Sequence, residues 1–156
     1  MIYQFINWFL IGVISAISSL AMEMVILTGL LSSEINWGQY TYSLGWFFFV
    51  IILIEEFTKT ILSYLKISRN PSTSSPNLIL WGIAGGGGFA LTESFLLNLK
   101  NESFFNWGVY LIHIATFFSI IYLLKLKGRS LLFKISAALI VGIILHTAYN
   151  LFIFYY

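Results

Sequence analysis

The sequence predicts an all-α, polytopic membrane bundle of about five transmembrane helices, with its N-terminus in the cytoplasm. Three observations predict it. The 156 residues are 59% hydrophobic and only 9% charged, where a soluble domain carries about 25% charged residues. Five apolar windows reach the roughly 20 residues needed to cross the hydrocarbon core. The basic residues gather in two of the four connecting segments. A water-soluble fold of this length could not hide so much apolar surface, so the solvent is lipid. Cysteine is absent, which removes disulfide and thiol chemistry.

The first window, about 5–31, begins FINWFLIGVISAISSLAMEM. No Lys or Arg precedes it, and the run is longer than a signal-peptide core, so it reads as a plain first span. The second, about 41–66, contains FFFVIILIEEFTKTIL. The third, about 77–99, contains WGIAGGGGFALTESFLL. Its four consecutive glycines would weaken a helix in water, but in lipid they let neighbouring backbones approach closely. The fourth, about 104–125, carries His113, and the fifth, about 131–155, carries HTAYN at 146–150. The breaks SSEINWGQ, KISRNPSTSSPN, KNES and KLKGRS are polar. NPSTSSPN holds both prolines and reads as a loop. The reading is one integral-membrane domain over residues 1–156.

With five spans, the second and fourth connections lie on the same side as the N-terminus. They hold Lys66, Arg69, Lys125, Lys127, Arg129 and Lys134, against Lys100 alone on the other side. Positive charge stays inside, so that side is cytoplasmic. The net charge of +2 is small, and no nucleic-acid partner is expected.

The acids are all glutamate. Glu34 and Glu102 read as solvated loop charges; Glu23, inside the first apolar run, either snorkels outward or sits where the first span leaves the membrane. Glu55, Glu56 and Glu93, with His113 and His146, fall well inside apolar runs. Ionisable groups there are costly and by default mark function. Counted from the cytoplasmic end of each span, Glu55, Glu93, His113 and His146 fall at roughly 17–24 Å, using a rise of about 1.5 Å per residue. That depth makes one polar layer, at or outside the midplane. Glu55 and Lys59 are four residues apart and share a face, so Lys59 is placed to hold one glutamate ionised. Two adjacent carboxylates in low dielectric cannot both ionise cheaply, which suits general acid–base work. His146 and Asn150 are also four apart. They present an imidazole and an amide on one face, a pairing suited to a water or a developing oxyanion.

Taken in order, EEFTK, GGFALTES, a single His and HTAYN on successive spans resemble the PrsW-type branch of the CAAX-protease and bacteriocin-processing superfamily of intramembrane proteases. The match covers about 55–150. The basic residue three after the glutamate pair, and VYLI before His113, are closer to this branch than to the prenyl-protein proteases. The resemblance implies cleavage of a membrane-associated polypeptide without a covalent intermediate. It implies Glu55 as general base with His113 as its partner, and His146 and Asn150 steadying the tetrahedral intermediate. Glu56 would support the site with Lys59, and Glu93 matches a glutamate of the branch. No cofactor is expected. The chain has no Asp, which excludes an aspartyl dyad, and His-Glu-x-x-His is absent.

Two other classes fit the same residues. Glu55, His113 and His146 suit a divalent metal or a proton relay, as in a small transporter. A non-catalytic scaffold would need none of their chemistry. A prokaryotic plasma membrane is the expected location, with the bilayer and a membrane-anchored protein or peptide as partners.

Overall fold

A computed structural model of the protein describes residues 1–31, 40–69, 77–98 and 107–155. The polar NPSTSSP segment, Glu34, Lys100 and Glu102 lie outside the described residues. Five helices follow one another: α1 (Ile2–Leu31), α2 (Tyr40–Arg69), α3 (Leu78–Asn98), α4 (Trp107–Leu124) and α5 (Leu131–Tyr155). There is no strand among the described residues. The predicted spans fall on these helices.

Four helices hold stretches long and apolar enough to cross a membrane: Ile2–Ile26, Leu78–Leu96, Trp107–Leu124 and Leu131–Phe152. All five expected spans correspond to helices, and among the described residues four of those helices contain such a stretch. Helix α2 is as long as α1, at 30 residues, and carries Glu55, Glu56 and Lys59 in its middle. It tolerates them because it is packed on three sides, against α1, α4 and α5. The helices close a ring in the order α1, α3, α4, α5, α2, with α4 also reaching across to α2.

The distribution of side chains suits lipid. Ile6, Leu10, Ile14 and Ile17 of α1 and Ile140, Ile144 and Leu151 of α5 are exposed. Meanwhile Ser15, Ser19, Thr58, Thr60, Ser63 and Thr116 are buried. Buried hydroxyls that bond their own helix stay satisfied without a partner helix: Ser15 donates to the Ile11 carbonyl at 2.8 Å and Thr58 to that of Glu55 at 2.9 Å. An apolar core built from Trp8, Ala16, Trp81, Ala84, Phe89, Phe117 and Ile121 ties α1, α3 and α4. Ile120, Leu124 and Ala138 tie α4 to α5, with Tyr64 and Ile67 of α2 against them.

Helix α3 is the pivot, and its glycines set how close the others come. A Cβ on Gly86 would lie 2.6 Å from the His113 carbonyl carbon and would strike the Ile114 backbone. A Cβ on Gly12 would strike the Gly85 carbonyl and lie 2.8 Å from the Phe89 amide nitrogen. Small residues at these crossings put α1 and α4 directly on the α3 backbone. His113 is thereby held within reach of α3 and α2 side chains. Gly87, by contrast, has open space where a Cβ would go.

These contacts predict opposite outcomes at neighbouring glycines. Gly86→Ala should destabilise the protein by about 1–3 kcal/mol through overpacking against backbone. Gly87→Ala should be neutral, or stabilising by up to about 1 kcal/mol, since Ala is the better helix former. Reversible unfolding in detergent micelles measures both, and equal effects at the two positions would contradict the packing described.

Candidate active site

The ionisable groups of the apolar runs meet in one buried cluster. Lys59 stands at its centre, fully buried, with Glu56 and His113 almost equally enclosed. Its Nζ donates to Glu56 Oε1 at 2.6 Å and lies 3.0 Å from His113 Nδ1. Glu55 Oε2 is farther from it, at 3.6 Å, and the face of the Phe89 ring lies 4.1 Å from it. An ammonium over an aromatic face gains a cation–π attraction that grows when water is excluded. The helix spacing alone pointed Lys59 at Glu55, four residues away. The structure gives the short contact to Glu56, three residues away, and leaves Glu55 at the edge of the ammonium's reach.

The pattern of donors fixes the two imidazoles. Lysine has three N–H donors and no acceptor, so His113 Nδ1 accepts from Lys59. His113 then carries its proton on Nε2 and donates it to Glu93 Oε2, at 2.6 Å. His146 is placed the other way round. Its Nδ1 faces Glu56 Oε1 at 2.9 Å, and a carboxylate accepts, so Nδ1 carries the proton and Nε2 keeps a lone pair. His113 and His146 sit edge to face with ring centroids 5.3 Å apart. Both nitrogens of His113 are engaged, whereas His146 is oriented by a carboxylate through one nitrogen, the arrangement that leaves a histidine's other nitrogen basic.

Glu55 and Glu56 differ sharply although they are adjacent. Glu56 Oε1 accepts from both Lys59 and His146. Its Oε2 is buried without a hydrogen bond close against α5, where a Cβ on Gly142 would come within 2.5 Å of it, so a side chain there would push the carboxylate from this position. Glu55 Oε2 is buried, accepts no hydrogen bond, and lies 3.6 Å from both Lys59 Nζ and His146 Nδ1. It is the least satisfied carboxylate of the cluster.

Of the residues singled out in the sequence, Glu55, Glu56, Lys59, Glu93, His113 and His146 come together. No hydrogen bond joins Glu55 to His113; Lys59 and Glu93 take both His113 nitrogens instead. Asn150, one turn after His146, is half-buried and makes no hydrogen bond among the described residues. Glu23 of α1 is half-buried. Sequence reasoning missed three contributors. Phe89 follows the glycine run and supports both Lys59 and His113, the latter with ring centroids 4.5 Å apart. Gly142, one turn before His146, has no local signal. Tyr149, inside HTAYN, has a buried hydroxyl with no hydrogen-bond partner and is near enough to Glu93 to feel its charge.

No family model matches the chain, and neither a curated protein nor a solved structure matches it.

If Lys59 neutralises Glu56, removing one partner should cost more than removing both. Lys59→Met should destabilise by about 3–5 kcal/mol, because it leaves an uncompensated buried carboxylate. Adding Glu56→Gln should recover part of that loss, with a coupling of about 1–3 kcal/mol. A double-mutant cycle on unfolding in detergent measures it, and strictly additive losses would contradict the pairing.

Proposed function

We propose that the protein is a membrane-embedded endopeptidase of the glutamic type, in a prokaryotic plasma membrane, hydrolysing a membrane-associated polypeptide with a water activated by Glu55. The observation that carries the reading is the contrast between the two adjacent carboxylates. Glu56 Oε1 is taken by both Lys59 and His146, with its Oε2 buried against α5, whereas Glu55 accepts no hydrogen bond from either group and its buried Oε2 stands 3.6 Å from both. One acid held ionised and a neighbour left free to exchange a proton is the pattern of paired catalytic groups.

In this reaction Glu55 Oε2 takes a proton from water as the water oxygen adds to the scissile carbonyl carbon. The carbonyl π electrons move onto oxygen. His146, held by Glu56 through its Nδ1–H, presents Nε2 to take and return a second proton. Asn150 and the Tyr149 hydroxyl, both without hydrogen-bond partners, supply donors for the oxyanion. The intermediate then collapses, the C–N bond breaks, and the leaving nitrogen receives the proton. Lys59, Glu93 and His113 touch none of the reacting atoms in this scheme. They set the positions and charges of the groups that do.

A metal-binding reading has one observation in its favour. One ligand atom each from Glu55, His113 and His146 lies within 4.8 Å of the others. The donor set fits an ion poorly, because both His113 nitrogens are already engaged, one of them by the Lys59 ammonium. A cation already stands against Glu56 and His113 at the centre of the cluster.

Membranes expressing wild type or Glu55→Gln at matched levels should differ in new protein N-termini beside a membrane span. Glu55→Gln and His146→Ala should each lower cleavage at least about 100-fold, the typical contribution of a positioned acid or base, with the protein still folded. Identical termini in a proteome that contains the substrate would sink the reading. Ion flux lost in the same variants would favour a transporter. Chelation should leave cleavage of the identified substrate unchanged, and loss restored by a divalent ion would favour the metal reading.

A further inference from the structure

A second built feature lies at the C-terminal end of α2, away from the Glu/His cluster. A cavity of about 160 Å³ is lined by Tyr3, Gln4, Asn7 and Trp8 of α1, Lys66 and Ile67 of α2 and Trp81 of α3. Its position follows from the fold: the last turn of α2 meets the first turns of α1 and α3. It is on the end that carries Lys66, Arg69, Lys125, Lys127, Arg129 and Lys134, the end predicted to face the cytoplasm.

Its chemistry is one-sided. Lys66, Gln4, Asn7, Tyr3 and the two indoles all offer hydrogen-bond donors, and no carboxylate is among the lining groups. Lys66 is half-buried and forms no ion pair or hydrogen bond among the described residues. Lys125 adds charge behind the wall, with its ammonium 4.3 Å from the centre of the Trp81 ring. The α3 helix begins at Leu78, so its first N–H groups and the positive end of its dipole are at this wall. Trp8 and Trp81 are not the loosely held aromatics of a membrane interface. They are 3% exposed and stacked at 5.5 Å, and they form a fixed floor.

We propose that this cavity is a phosphate site whose ligand is the headgroup of an anionic phospholipid of the cytoplasmic leaflet. At about 160 Å³ the cavity holds a phosphate group but not a whole lipid. The acyl chains lie outside, along the exposed stripe of Ile6, Leu10, Ile14 and Ile17 that runs down α1 from the cavity mouth. Basic pockets between spanning helices on the cytoplasmic side bind lipid phosphates in this way. A soluble phosphate would share the donors but would leave that stripe unused.

The test uses the full chain in neutral detergent, with binding read by native mass spectrometry. The probes are dioctanoyl phosphatidylglycerol, dioctanoyl phosphatidylcholine and inorganic phosphate. Phosphatidylglycerol should bind saturably at one site and more tightly than phosphatidylcholine. Lys66→Ala should weaken it about tenfold, the loss of one charge-assisted hydrogen bond, and Lys66→Glu should weaken it further. Lys127→Ala, exposed on the same side, should leave it unchanged. Inorganic phosphate that binds as tightly, with the same dependence on Lys66, would reassign the ligand to a free anion and overturn the lipid assignment. No saturable binding, or equal binding by wild type and both Lys66 variants, would overturn the site itself.

Discussion

The interior of this bundle depends on one buried cation. A lysine ammonium taken out of water is costly unless its charge is matched and its donors are used. Lys59 meets both conditions with Glu56 Oε1 at 2.6 Å, His113 Nδ1 at 3.0 Å and the Phe89 face at 4.1 Å. Everything else in the cluster follows from that. The lysine sets the His113 tautomer, which sends its remaining proton to Glu93. It holds Glu56 in the charged form that orients His146. It stops short of Glu55, whose Oε2 is left without a hydrogen bond. Three helices besides α2 are thereby linked through side chains on α3, α4 and α5.

Backbone approach makes this geometry attainable. Charged groups on four helices reach one another only if the helices are close, and the glycine run of α3 supplies that closeness where α4 crosses it. On the far side Gly142 leaves the space that the Glu56 carboxylate fills. A polar cluster inside lipid and small residues at the helix crossings are thus parts of one solution. The proposed lipid site at the cytoplasmic end uses the same helices but a different chemistry, in which unpaired donors gather with no acid among them.

The helices were legible because apolar length is a strong signal in a membrane protein. The third and fifth expected spans, about 77–99 and 131–155, fall almost on α3 and α5. The second, about 41–66, stops short of Arg69 because polar residues were read as the end of the helix. An α-helix continues past the bilayer core where Lys66 and Arg69 favour its C-terminal dipole. Within the cluster, residue types were legible from their cost in lipid, and their common depth followed from counting turns. Partners were not. The Lys59–His113 contact joins residues 54 apart in sequence, and its existence depends on how far α4 is rotated against α3. The preference of Lys59 for Glu56 over Glu55 depends on side-chain rotamers, which the three- and four-residue spacings leave equally open. Gly142 carries no local mark because its role is to lack a side chain opposite a carboxylate on another helix.

The central claim is that Lys59, Glu93 and Glu56 hold the two histidines in opposite tautomers, leaving His146 Nε2 as the basic nitrogen of the site. Nitrogen-15 NMR of the histidine rings in selectively labelled protein, in detergent or bilayers at neutral pH, tests it directly. The account predicts a proton on Nε2 and none on Nδ1 for His113, and a proton on Nδ1 and none on Nε2 for His146. Both rings in the same tautomer, or a proton on His113 Nδ1, would contradict it.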